Sequence, residues 1–213
     1  MKSFLFHNSI SVAAIIALAG FPLGSASGQN TKLNADKPTF EDLQSPQYTG
    51  PGKQKNFKPK EWLEVEAKIN IAGGAASKGK VCEKLTVKWY VAVKNPEKIG
   101  THFILTKDVE HMNIPYDEDI WVSVYLSPVS IKRLTGSDRP GKNSVEAVSY
   151  EVLVNGVKVA EETSSARFKV GWWNNPGDKA TKNDSVPLLN KAETPFRAMW
   201  WDRYAEVNES RGR

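Results

Sequence analysis

From Trp62 onward the chain alternates. Leu63, Val65, Ala67, Ile69 and Ile71 are apolar, and Glu64, Glu66, Lys68 and Asn70 between them are polar. A two-residue period puts all the apolar side chains on one face of an extended strand, so the stretch predicts a strand with one dry and one wet face. Gly73-Gly74 ends it. Leu85, Val87, Trp89, Val91 and Val93 repeat the pattern until Asn95-Pro96. Phe103 to Val109 predicts a less regular strand. Ile120, Val122, Val124 and Leu126 predict another, with Trp121 and Tyr125 on its opposite face. Ser127-Pro128 then opens Val129 to Leu134, a stretch with room for one or two helical turns.

The clearest local signal comes later. Val145 to Val154 and Val157 to Thr163 flank Asn155-Gly156, the residue pair that type I′ hairpin turns prefer because both positions need positive φ. A two-residue turn pairs Val154 with Val157 and Val152 with Val159, placing all four on one face. Ala166, Phe168, Val170 and Trp172 alternate with Arg167, Lys169 and Gly171 and predict a further strand. A polar loop follows from Asn174 to Ser185. Phe196 to Tyr204 closes the pattern as either a strand after Pro195 or a helix. That makes about eight short strands with turns between them, little helix and no βαβ rhythm. The expectation is an all-β fold of two packed antiparallel sheets over residues 61–207, followed by a polar tail at 208–213.

The first sixty residues have a different character. Lys2, an apolar run from Ile10 to Leu23, and the small residues Gly24 to Gly28 have the layout of a secretory signal peptide over residues 1–28. The apolar run is shorter than the ~20 residues of a membrane span. The mature chain is therefore expected outside the cytoplasm, with no membrane span. Residues 29–60 hold Pro38, Pro46, Pro51 and Pro59 and six lysines, with few apolar positions. They read as a flexible or extended N-terminal arm that the fold can do without, although Leu33, Phe40, Tyr48 and Phe57 have the character to dock locally.

Composition narrows the function by exclusion. The balance of 29 basic to 24 acidic residues is only mildly positive, and in an exported chain it does not point to nucleic acid. The single cysteine, Cys82, rules out an internal disulfide and reads as a small buried hydrophobe. His102 and His111 are the only histidines outside the leader, too few for a three-histidine zinc site. Gly136 to Asn143 nearly spells a phosphate-binding loop, but Asn143 replaces the magnesium-binding hydroxyl and Pro140 removes an amide donor. Tyr116-Asp117-Glu118-Asp119 lacks the glycine and distant glutamate of a calcium loop and reads as a solvated turn. No Gly-x-Ser-x-Gly elbow is present. The expectation is no catalytic, metal or cofactor site.

The seven tryptophans carry the sharper expectation. Adjacent pairs stand at 172–173 and 200–201. On a strand, neighbours point to opposite faces, so one indole of each pair leaves the core side. Trp173 and Trp201, with Trp121 and Tyr125, are the candidate partner-binding residues; otherwise loops or the arm cover them.

Three segments carry a family resemblance. They are Tyr150 to Gly156, the Trp172-Trp173 pair, and Thr194 to Tyr204 (TPFRAMWWDRY). With them, most of residues 61–207 resembles an exported immunoglobulin-like protein associated with type IV pilus-like gene clusters of Verrucomicrobia such as Akkermansia. The resemblance implies an immunoglobulin-like sandwich without catalysis. Its implied site is periplasmic, outer-membrane-associated or extracellular. Pilus-system or cell-envelope proteins are the implied partners, with the host surface and self-association as further ones. Two departures are plain: the inter-sheet disulfide of antibody domains cannot form, and the leader is not that of a pilin, which keeps its apolar helix. A secreted carbohydrate-binding module with an aromatic platform is the alternative.

Overall fold

A computed structural model describes residues 32–47, 56–74, 77–136 and 141–209. The expected signal peptide, residues 1–28, lies outside the described residues. Among those described are eleven strands and one α-helix. In chain order the strands are β1 (Lys32–Ala35), β2 (Thr39–Gln44), β3 (Glu61–Ala72), β4 (Val81–Lys94), β5 (His102–Pro115) and β6 (Ile120–Leu126). After helix α1 (Pro128–Thr135) come β7 (Val145–Val154), β8 (Val157–Thr163), β9 (Ala180–Lys182), β10 (Leu189–Asn190) and β11 (Glu206–Val207). The five-stranded sheet has β1 and β2 end to end on one side of β3, then β6, then β10. The six-stranded sheet has β9 and β11 on the outer side of β5, then β4, β7 and β8. The chain is an all-β sandwich.

The period-two pattern sets the core. Leu63, Val65, Ala67, Ile69 and Ile71 of β3 are at most 2% exposed, and so are Leu85, Val87, Trp89, Val91 and Val93 of β4. Val122, Val124 and Leu126 of β6 join them with Val148, Tyr150 and Val152 of β7. Each fully buried large apolar side chain contributes about 1.5–3 kcal/mol, so these two faces hold the sheets together. Cys82 lies buried among them, and burial pushes its thiol up. Helix α1 forms where Ser127-Pro128 predicts it. The Ser127 Oγ accepts the Ser130 N–H at 3.2 Å, and Gly136, at φ 70°, caps the end. Ile131 and Leu134 turn into the core.

The Asn155-Gly156 hairpin forms, with φ of 50° and 84°. Val154 faces Val157 as expected, but a register shift at Val152/Leu153 pairs Val152 with Ala160 rather than Val159. The predicted strand from Ala166 to Trp172 is absent. Gly171 takes φ 82°, and Trp172–Asn174 form a single 3-10 turn. The polar loop from Asn174 to Ser185 contains β9, which runs parallel to β5. The segment from Phe196 to Tyr204 is neither strand nor helix but a run of turns, with a 3-10 turn at Trp201–Arg203.

The largest correction concerns the N-terminal arm. It is extended, and it is part of the sandwich rather than an accessory to it. β1 pairs with the end of β3 from Ala35↔Ile69 to Lys32↔Ala72, and β2 pairs with its start from Thr39↔Glu66 to Gln44↔Glu61. Between them the Asp36 N–H donates to the Lys68 carbonyl at 2.9 Å, and Pro38, which has no N–H, interrupts the ladder. Leu33 and Phe40 pack against the core. Tyr48 lies outside the described residues, and Phe57 is 54% exposed. The buried Tyr150 crosses from β7 to donate its hydroxyl to the Asp36 carbonyl at 2.6 Å. The phosphate-loop lysine is spent here too: the Lys142 ammonium meets Glu41 at 2.7 Å, and its N–H reaches Asp42 at 3.0 Å. The 208–213 tail is also anchored at its start, where the Asn208 N–H donates to the Glu110 carbonyl at 2.8 Å.

Deleting residues 1–44 is therefore expected to destabilise the domain strongly, by uncovering one whole side of β3 and the Tyr150 hydroxyl. Tyr150→Phe, which removes only the bond to Asp36, is expected to cost about 1 kcal/mol. Urea denaturation followed by circular dichroism measures both. An unchanged midpoint in the deletion would mean that the arm only rests on the sheet.

Candidate functional site

The polar face of β3 is not left to solvent. Antiparallel pairing sets Glu64 opposite Tyr125, Glu66 opposite Ser123 and Lys68 opposite Trp121. The C-terminal segment from Lys191 to Ala205 folds over the first two of these pairs. Phe196, 1% exposed, stacks on Tyr125 at 5.5 Å and meets Trp62 edge-on at 5.7 Å. The Tyr125 hydroxyl donates to Glu64 Oε1 at 2.8 Å. The Tyr204 hydroxyl lies 2.6 Å from Glu66 Oε2 and 3.1 Å from Glu64 Oε1. Its single proton goes to the shorter contact. Arg203 donates to Glu66 Oε1 at 2.8 Å and lies over the Trp121 ring at 4.5 Å.

Burial holds the Glu64 carboxyl above the usual carboxylate range, with the Glu66 charge adding to the effect and the Tyr125 hydroxyl working against it. Burial likewise pushes the Tyr125 and Tyr204 phenols up, reinforced by the charge of Glu64 and by the Tyr204 bond to Glu66 respectively. The two glutamates spend these oxygens on Tyr125, Tyr204 and Arg203, and Tyr125 is fully covered. The arrangement fastens the C-terminal segment to the sheet. Lys191, 6% exposed, braces the segment from within. Its ammonium donates to the carbonyls of Arg197 and Met199 and lies 4.9 Å from the centre of the Tyr204 ring. Burial lowers its pKa.

The same segment then crosses between the sheets. Tyr204 bridges to Trp121 on β6, and the Ala205 N–H donates to the Trp121 carbonyl at 2.9 Å. The next two residues are β11, which pairs Glu206 with Met112 and Val207 with His111 on β5. His111 is 2% exposed beneath this clasp. Its Nδ1 faces the Ala205 carbonyl at 3.3 Å, which can only accept, so Nδ1 carries the proton and Nε2 is left bare and buried. Burial drives its pKa down to about 4.

Three of the four candidate residues gather at this segment. Tyr125 and Trp121 lie under it and Trp201 lies on it. Trp201 is 60% exposed and its neighbour Trp200 is 46% exposed, so both indoles of the pair reach solvent. Beside Trp201 is a cavity of about 190 Å³, lined by Lys191, Arg197, Tyr204, Glu206 and Glu209 among others. Trp173 is elsewhere. It lies on the outside of the six-stranded sheet, 8% exposed, stacked on Tyr90 at 4.6 Å. Its neighbour Trp172 donates its indole N–H to the Ser149 Oγ at 2.7 Å. Neither pair alternates between faces, because neither lies on a strand. Sequence reasoning missed Glu64, Glu66, Lys191, Arg203 and Tyr204. The Asp202-Arg203-Tyr204 end of the aromatic segment was the one available pointer to them.

The acidic run from Tyr116 to Asp119 is a turn tied to the end of β3. Asp117 accepts the Gly73 N–H at 3.1 Å, and Asp119 binds Asn70 at 3.0 Å and Lys68 at 3.2 Å. Among the described residues no group of three or more His, Cys, Asp or Glu side chains is placed to hold a metal ion. No helix there is long and apolar enough to cross a membrane.

A protein-family model matches residues 24–211 of the chain. Among solved structures, a crystal structure of a protein from Akkermansia muciniphila matches with a TM-score of 0.76 at 33% sequence identity. The match covers 84% of this chain and 93% of that one. No curated protein matches.

His111 makes the clasp sensitive to acid. Its folded pKa of about 4 lies below the 6.5 of a free imidazole, so the unfolded chain binds more protons between those values. Its contribution is fully present above about pH 6.5 and is lost as pH falls towards 4, by up to roughly 3 kcal/mol. His111→Leu is expected to remove this component. The gap in unfolding free energy between wild type and variant should then change in the variant's favour from pH 7 to pH 4. A gap that stays constant would mean that His111 does not titrate in this range.

Proposed function

We propose that this chain, which belongs to the family whose model spans residues 24–211 and has a crystallised relative from Akkermansia muciniphila, is an exported, non-enzymatic interaction protein of a pilus-like envelope assembly. The observation that carries the reading is the exposed pair Trp200 and Trp201, presented on a turn whose base is clamped by Arg203, Tyr204 and Lys191. Exposed aromatics held on a rigid support are what protein partners use as anchors, because little side-chain entropy remains to be lost on binding. The polar network beneath favours the same view. Its carboxylates are occupied in holding the turn rather than open to a substrate. Export rests on the leader layout, and the pilus on the sequence resemblance of the Tyr150 to Gly156 and Thr194 to Tyr204 segments.

The same exposed indole beside a cavity also suits a sugar ring, so saccharide binding is the second reading.

In cells producing the full chain, cross-linking from a probe at the Trp200-Trp201 turn is expected to recover pilus-system or envelope proteins. Trp201→Ala is expected to cut that yield about tenfold, consistent with a hot-spot loss of ~1–2 kcal/mol, while leaving the melting temperature nearly unchanged. Recovery of the same partners at undiminished yield from Trp201→Ala would remove the indole pair from the reading. Turnover of any substrate in a broad hydrolase panel would overturn the non-enzymatic assignment.

A further inference from the structure

The cavity beside Trp201 holds a charge that the fold leaves without a direct ion pair. Lys191 lines it and is 6% exposed, yet among the described residues no carboxylate lies within 4.0 Å of its ammonium. Two backbone carbonyls and the Tyr204 ring satisfy its geometry without cancelling its charge. A buried cation is costly: burial lowers its pKa, and the more distant Glu64 charge works against this without reversing it. The other charged walls are already engaged. Glu206 accepts from the Asn113 side chain at 2.9 Å, and Arg197 meets Glu209 at 2.8 Å in a pair that is more than half exposed on both sides. Water screens that outer pair, so Arg197 is free to exchange Glu209 for a bound anion at little cost.

We propose that this cavity binds one carboxylated sugar residue of an acidic glycan. The ring face stacks on the exposed Trp201 indole. The carboxylate is drawn to Lys191 and Arg197, and gives the ammonium the direct carboxylate contact that its two carbonyl partners do not supply. Ring hydroxyls, which are donors, find acceptors in Glu206 and Glu209. At about 190 Å³ the space is below the ~300–1,000 Å³ of pockets that enclose drug-sized ligands, which fits one ring rather than an oligosaccharide. A monoanion fits better than a phosphate dianion, because Glu206 and Glu209 share the same walls. The proposal rests on the saccharide reading above. Its failure leaves the envelope-assembly reading untouched, since cross-linking tests that one.

Calorimetric titration of the mature chain with glucuronate, methyl glucoside and acetate tests it. Glucuronate is expected to bind saturably, with methyl glucoside and acetate each at least about tenfold weaker, a difference of ~1.4 kcal/mol. Trp201→Ala and Arg197→Ala, both at exposed side chains, are each expected to weaken glucuronate about tenfold without lowering the melting temperature. Absence of saturable glucuronate binding overturns the proposal. So does acetate binding as tightly, which would mean an anion site without sugar recognition, or methyl glucoside binding as tightly, which would mean that the carboxylate is not read. Wild-type affinity in both variants would place the sugar elsewhere and overturn it as well.

Discussion

The edges of the two sheets are the constraint on which the rest of this molecule depends. A strand without a neighbour presents a row of unpaired N–H and C=O groups that water or another chain must satisfy. Without its flanking segments this sandwich would leave bare one side of β3, one side of β6 and the outer side of β5. The two ends of the chain close them. β1 and β2 run along β3. β10 pairs with the end of β6 at Tyr125 and Val124. Residues from Tyr204 to Asn208 pass from Trp121 on β6 to His111 and Glu110 on β5, bonding one sheet and then the other. The functional candidates follow from this closure, because the turn that presents Trp200 and Trp201 leads into the clasp.

Not all the polar contacts matter equally. Pairs such as Lys68–Asp36, Lys158–Glu161 and Arg197–Glu209 are exposed, and each is worth roughly 0–1 kcal/mol. Glu66 is different. Its side chain is 20% exposed and it bonds Arg203 and Tyr204 together. Removing one partner from such a set leaves a shielded charge unpaired, which is far more costly than the pair itself is stabilising. The same asymmetry applies to the Tyr150 hydroxyl and to the His111 ring. These few groups, rather than the surface ion pairs, make the flanking segments cooperative with the core.

The fold was legible wherever a strand has one apolar face on the core. β3, β4, β6, β7 and the Asn155-Gly156 turn all follow from period two and from the φ that a tight hairpin requires. β1 and β2 were not legible because an edge strand buries little. Leu33 and Phe40 are their main apolar contributions, and the lysines and prolines around them have the composition of a linker. What holds them is backbone pairing, which leaves no mark in side-chain pattern. The C-terminal network was hidden for a related reason. Glu64 and Glu66 look like an ordinary wet face, and only the register that puts Tyr125 opposite Glu64 reveals that something must cover them. The Trp172-Trp173 pair does not follow period two because Gly171 turns the chain out of the extended region just before it.

The turn at residue 200 is strained, and its strain has a direction. Trp200 takes φ 51°, a left-handed conformation that costs a bulky L-residue about 1–3 kcal/mol. The surroundings over-determine it. The Met199 carbonyl is held by Lys191, the Trp200 carbonyl accepts the Arg203 N–H at 3.0 Å, and Arg203 is fixed on Glu66 and Trp121. On the opposite sheet the other adjacent pair is packed instead, Trp173 on Tyr90 and Trp172 edge-on to Trp173. At this left-handed turn both indoles stay in solvent, Trp200 46% and Trp201 60% exposed. Strain of this kind persists only where the surroundings over-determine it, as they do here. A buried lysine, an arginine and two glutamates hold two tryptophans in water here, and that is the physical ground on which the proposed partner surface is placed at this corner rather than at the buried Trp173.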